Sequence, residues 1–167
     1  MKHLMLISLL CLGLSGCGAL MPRLGLPGPQ GDPAAPASPE AEQVALAPDT
    51  RAPPPPADAK TAAALDTTTP AQRASAARPA TASSRDLGRT VVSLGSPTEP
   101  GLWLKTPLVR AQFQGRVTDP ASGKSSRVTV IPIDGPATGG SRMSLAAMRL
   151  IGLSLTDLTE VAVALED

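Results

Sequence analysis

The sequence predicts a small, mainly β domain with one helix packed on one end, set behind a signal peptide and a disordered Pro/Ala-rich tether. Three observations predict this. A charge-free apolar run, Leu4 to Leu14, follows Met1-Lys2-His3 and is too short to span a membrane. Most of the 19 prolines lie ahead of residue 86. Beyond it, short β-branched runs alternate with Gly/Pro turns, and one stretch has a helical period.

The N-terminal run ends in Leu14-Ser15-Gly16-Cys17. That order of positive end, apolar run, small residues and cysteine resembles a bacterial lipobox, which the lipoprotein signal peptidase cuts before the cysteine. Residues 1–16 are then the signal, and Cys17 carries diacylglycerol and anchors the chain to a membrane. Lipoproteins kept at the inner membrane usually carry Asp after the cysteine, whereas Gly18 stands here. The resemblance implies an outer-membrane protein facing the periplasm.

Residues 17–85 are expected to be a disordered linker. Pro22, Pro27, Pro29, Pro33, Pro36 and Pro39 break helices, and Pro53 to Pro56 favour polyproline II. Large apolar side chains are too few for a core. Fully extended, such a tether would reach on the order of 200 Å, and as a coil about 45 Å. Thr69-Pro70-Ala71-Gln72 interrupts it with a capping box, and a short helix over 70–77 is expected there.

The domain is expected over 86–167. Arg89 to Leu94 is β-branched and flanked by Gly88 and Gly95, so it reads as a strand. Leu102 to Lys105 is a short strand stopped by Pro107. Val109 to Thr118 reads as a strand bent at Gly115. Asp119-Pro120-Ala121-Ser122-Gly123 is a turn. Ser126 to Ile133 is the clearest strand, with Val128 and Val130 on one face, and Asp134-Gly135-Pro136 ends it. Ser144 then caps a helix whose apolar stripe is Met143, Ala146, Ala147, Leu150 and Ile151, with Gly152 at its end. Glu160 to Leu165 closes the domain as a strand.

Composition narrows the chemistry. Net charge is +1, which gives no electrostatic case for nucleic acid. Cys11 and His3 fall within the signal and Cys17 takes the lipid. A chain starting at Cys17 would lack a free thiol, a His base and a His or Cys metal ligand, so no cofactor or metal is expected.

Several stretches resemble the rare lipoprotein A family, outer-membrane lipoproteins with a double-psi β-barrel, some of which cleave peptidoglycan strands lacking stem peptides. These are Gly115-Arg116-Val117-Thr118, Ser122 to Ser125, Val128 to Ile131, Gly135-Pro136, and Met143 to Ala147 with Gly152. The resemblance spans roughly 115–165 and implies a double-psi barrel. The family's Asp-Arg-Gly-Pro reads Ile133-Asp134-Gly135-Pro136 here, so the carboxylate falls one place later. The family's upstream His has no counterpart near Leu102 to Pro107, and Arg142 replaces its Asp before the helix. Glycoside cleavage needs a proton donor and usually a second carboxylate. The departures favour a non-catalytic binder of peptidoglycan or an envelope partner over a lytic enzyme using Asp134; a structural spacer is the third reading. The chain also resembles short Pro/Ala-tethered lipoproteins sharing Asp66 to Thr69, Ile131 to Pro136 and Ser141 to Leu150. Members are sometimes labelled D-galactarate dehydratase, a chemistry these residues do not supply.

Candidate binding residues are Trp103, for stacking on a sugar ring, and Lys105, Arg116, Lys124, Asp134 and Arg142, for a groove holding anionic glycan or peptide carboxylates. Arg110 and Arg127 join that basic set. Asp134 is the one weak catalytic candidate. Gly123-Lys124-Ser125 lacks the earlier glycine of a phosphate-binding loop and reads as a hairpin turn.

Overall fold

Six strands close into a barrel in the computed structural model, which describes residues 45–80 and 84–166. They are β1 (Ser84–Leu94), β2 (Trp103–Thr106), β3 (Phe113–Thr118), β4 (Ser125–Pro132), β5 (Ser141–Met143) and β6 (Thr159–Glu166). Their order around the barrel is β1-β5-β2-β4-β3-β6. The pairs β1/β5 and β2/β4 are parallel, and the other four are antiparallel. Advancing every strand number by three returns the same order and the same pair types. The barrel therefore consists of two interlocked halves, β1–β3 and β4–β6, with one strand plan.

Alternation fills the interior. Val92, Leu104, Val117, Val128, Val130, Met143, Val161, Val163 and Leu165 are all buried. The register lays Leu104 beside both Val130 and Met143, and Val117 beside Val163. Each such side chain contributes roughly 1.5–3 kcal/mol on burial. Most strands lie within a few residues of their expected bounds. β1 and β3 depart most: β1 begins at Ser84, five residues before its expected start, and β3 begins only at Phe113, with 107–112 a loop. β5 was not expected, because three residues are too few to show a period.

The helix α3 (Leu145–Ile151) forms as expected. Ser144 Oγ accepts from Ala147 N at 3.3 Å, and Gly152 adopts the left-handed conformation (φ 80°) that ends a helix cheaply only with glycine. The buried face is wider than the expected stripe. Leu145 and Met148 are buried with Ala146, Ala147 and Ile151, while Leu150 is half-buried. Ser144 Oγ also accepts from Trp103 N at 3.1 Å, which ties the cap to β2.

The expected disordered linker needs correcting over 45–80. This arm packs on the barrel's outside and carries α1 (Ala62–Leu65) and α2 (Pro70–Ala76). The capping box of Thr69 and Gln72 is present, with bonds of 3.1 and 2.9 Å. Thr50 is buried, its hydroxyl 2.7 Å from that of Thr129 and its carbonyl accepting from Leu102 N at 2.8 Å. Asp49 pairs with Arg127 at 3.2 Å, Ala45 O accepts from Gln112 at 2.8 Å, and Ala76 is buried. Composition failed here because the arm docks mainly through backbone carbonyls, threonine hydroxyls, alanine methyls and ion pairs, with Leu46 seated against Gly101, so it needs few large apolar side chains. The expected signal, Cys17 and the first part of the linker lie outside the described residues.

Candidate functional site

The end of β4 sets the candidate site. Pro132 has no N–H to extend the ladder, and Ile133 N makes the last tie, to Thr106 O at 3.2 Å. The chain then turns through Asp134-Gly135-Pro136, with Gly139 N donating to Pro136 O at 2.8 Å. A shallow depression of about 480 Å³ opens there, lined by Val109, Arg110, Pro132, Ile133 and Asp134. Arg110 and Asp134 are both exposed. Neither takes part in an ion pair among the described residues.

Beneath this end runs a seam of hydroxyls. Thr90 and Ser141 lie 2.8 Å apart through their side-chain oxygens, and Ser141 Oγ donates to Thr106 Oγ1 at 2.8 Å. All three residues are buried. Thr106 Oγ1 also accepts from Leu108 N at 3.3 Å, which fixes the start of the loop that carries Arg110. Among the described residues Ser141 Oγ bonds only to the Thr90 and Thr106 hydroxyls, so nothing there deprotonates it and the seam ties three strands together beneath the site. No sequence signal marked it, since the residues lie on three strands that meet only in the fold.

Of the expected binding residues, the structure gathers three toward this end. Asp134 lies in the turn just past β4. Lys105 and Arg142 are direct partners across β2 and β5, and Lys105 is also in register with Ile131 of β4. Arg142 is exposed, and Lys105 is half-buried and paired with Glu99 at 2.8 Å.

Three others are misplaced by sequence reasoning. Trp103 is fully buried and has no face for a sugar. The loop 95–102 covers it. Gly95 lies against the ring, where a Cβ would come within 2.3 Å, and the indole N–H points at Glu99 O, 3.4 Å away. Lys105 Nζ sits 4.8 Å from the ring centroid and adds a cation–π contact. Arg116 is also buried. Its Nε pairs with Glu166 at 2.7 Å, and its Nη1 donates to Ala76 O at 3.2 Å and Ser125 Oγ at 3.0 Å. Arg116 therefore holds the arm and does not line a groove. Arg127 shares the other oxygen of Glu166 at 2.7 Å. That hydrogen bond, helped by Asp49 and opposed by burial, raises its already high pKa, so it stays charged at any working pH. Lys124 is exposed just before β4, at the opposite end of that strand from Asp134.

Lys124 belongs to the hairpin between β3 and β4, as expected for a turn. Asp119 N donates to Lys124 O at 2.9 Å, and Gly123 N donates to Asp119 O at 2.8 Å. Asp119's carboxylate accepts from the Ser122 hydroxyl at 2.5 Å and from Ala121 N at 3.0 Å. These bonds, the hydroxyl's first, lower its pKa below the ordinary value.

An apolar floor flanked by one carboxylate and one guanidinium suits a polar ligand with hydroxyls and an acid. Among the described residues no group of three His, Cys, Asp or Glu side chains could hold a metal ion. No helix among them is long and apolar enough to cross a membrane. Comparison with protein-family models, with curated proteins and with solved structures finds no match to this chain.

Proposed function

We propose that this chain is an outer-membrane lipoprotein, anchored through Cys17, whose periplasmic barrel of the double-psi type binds peptidoglycan without cleaving it. The interlocked halves, with parallel pairs β1/β5 and β2/β4, support the double-psi assignment. The depression at the end of β4 carries the functional reading. Asp134 and Arg110 stand exposed there over apolar side chains, an arrangement suited to sugar hydroxyls and acidic groups. A general acid for glycoside cleavage is usually a carboxyl held in an apolar pocket, opposite a second carboxylate. Asp134 is exposed, and among the described residues no second acid lines the depression.

The ordered arm shortens the leash. About 28 residues separate Cys17 from Ala45, and they span at most about 95 Å. A lipidated chain would therefore hold the barrel well inside the 200 Å that a tether running to residue 85 would allow.

The test is a pull-down of the mature chain, made soluble by Cys17→Ala, with purified sacculi. Retention without release of soluble fragments is expected. Release of fragments would favour a lytic enzyme, and absence of retention would favour a spacer. Separately, wild-type protein that fractionates only with the inner membrane would overturn the localisation.

A further inference from the structure

A second depression, of about 550 Å³, lies where the arm meets α3, away from Asp134. It is lined by Ala63, Asp66, Thr68, Arg73, Arg149 and Leu150. Its charges are arranged unequally. The Asp66 side chain is only 4% exposed, and its oxygens are taken. Oδ1 accepts from Thr68 N at 3.2 Å and from the Thr68 hydroxyl at 2.5 Å, and Oδ2 accepts from Arg149 Nη1 at 2.8 Å. Arg149 Nη1 also donates to Ala62 O at 3.1 Å. Arg73 is anchored the same way: its Nη1 donates to the Thr68 carbonyl and, at 3.1 Å, to the Thr68 hydroxyl.

Each guanidinium is thus held by one nitrogen. The Nε and Nη2 groups of both make no hydrogen bond among the described residues. A guanidinium offers five donors in a rigid fork, so anchoring one nitrogen leaves an edge able to grip a carboxylate. Two anchored forks against one saturated carboxylate leave a net positive charge in the depression. Ala63 and Leu150 add apolar wall for a small side chain.

We infer that Arg73 and Arg149 form a binding site for the terminal carboxylate of a short peptide with a small side chain, such as the D-alanine end of a peptidoglycan stem. This deepens the proposed function and rests on it for the identity of the ligand. Stem peptides and glycan strands would then meet different faces of the domain.

The experiment uses the mature Cys17→Ala chain and follows amide shifts by NMR during titration with N-acetyl-D-alanyl-D-alanine. Its C-terminal amide, inorganic phosphate and the L,L-dipeptide serve as comparators. Saturable binding that moves the amides around Asp66 and Arg149 is expected. The amide should bind at least about tenfold more weakly, as should Arg73→Gln. Arg73→Lys, which keeps the charge but not the fork, should also weaken binding. Arg149→Gln also removes the Asp66 pair, so Arg73→Gln, which keeps that pair, is the decisive variant. Equal binding of acid and amide, no binding at millimolar concentration, or full binding by Arg73→Gln would overturn the site. Phosphate binding as tightly as the dipeptide would overturn its selectivity for carboxylates, and equal binding of the L,L-dipeptide would overturn the stem-peptide assignment. Sacculi stripped of stem peptides separate this site from the wider reading. If they retain the protein while the dipeptide does not bind, the glycan-binding reading stands and this site fails. If the dipeptide binds while intact and stripped sacculi both fail to retain the protein, this site stands and the peptidoglycan reading fails.

Discussion

The two halves of the barrel share a strand plan but treat the corresponding connection in opposite ways. In the first half, residues 95–102 between β1 and β2 fold back on the outer wall and bury Trp103, with Glu99 holding Lys105 over the ring. In the second half, residues 133–140 between β4 and β5 stay open, and everything from Asp134 to Gly139 is exposed. The strand plan leaves both loops in equivalent places. Their side chains decide the outcome: an indole closes one loop, while Asp, Gly and Pro leave the other free. A fold can carry a site at either position, and the residues choose which.

The sharpest break of this comparison is Trp103→Ala. Removing a fully buried indole should cost about 3–5 kcal/mol in a denaturant titration. A loss below 1 kcal/mol would show that the closed loop is held by something other than the ring. Next comes Gly95→Ala, whose added methyl meets the ring at 2.3 Å and should cost about 1–3 kcal/mol. In the Trp103→Ala background the same change should cost much less, because the clash is gone, and the double-mutant cycle measures that coupling. Additive costs would refute the contact.

On the open side, Asp134→Asn should shift stability by no more than about 1 kcal/mol and, because the amide keeps the shape and an acceptor oxygen for sugar hydroxyls, weaken retention on sacculi without abolishing it. A wild-type chain that releases fragments, paired with a folded but inert Asp134→Asn variant, would make Asp134 a catalytic acid. The smallest effect concerns the hairpin that joins the halves. Asp119's native pKa is lowered, so its stabilising contribution is present above its ordinary value of 3.8 and fades as pH falls through the native value. NMR titration of the Ser122 and Gly123 amides should show the turn loosening only at pH below 4. Loosening above pH 5 would contradict the hydrogen bonding seen there.

Features whose causes lie within a few residues could be read directly from the chain. The Thr69–Gln72 capping box, the Ser144 cap, Gly152 and the Asp119 to Gly123 turn depend on contacts between near neighbours. β4 and β6 were legible because period-2 alternation runs for several residues, and the second half of β1 because its β-branched run lies between two glycines. The rest needed the tertiary structure. Thr50 meets Thr129 across 79 positions, Arg116 meets Glu166 across 50, and Ser141 meets Thr106 across 35. β5 exists only because β1 and β2 stand on either side to pair with it. A side chain's type states what it can bond, but whether Trp103 stacks on a ligand or fills a wall, and whether Arg116 is free or paired, depends on which distant segment covers it. The barrel's closure and the arm's docking decided that.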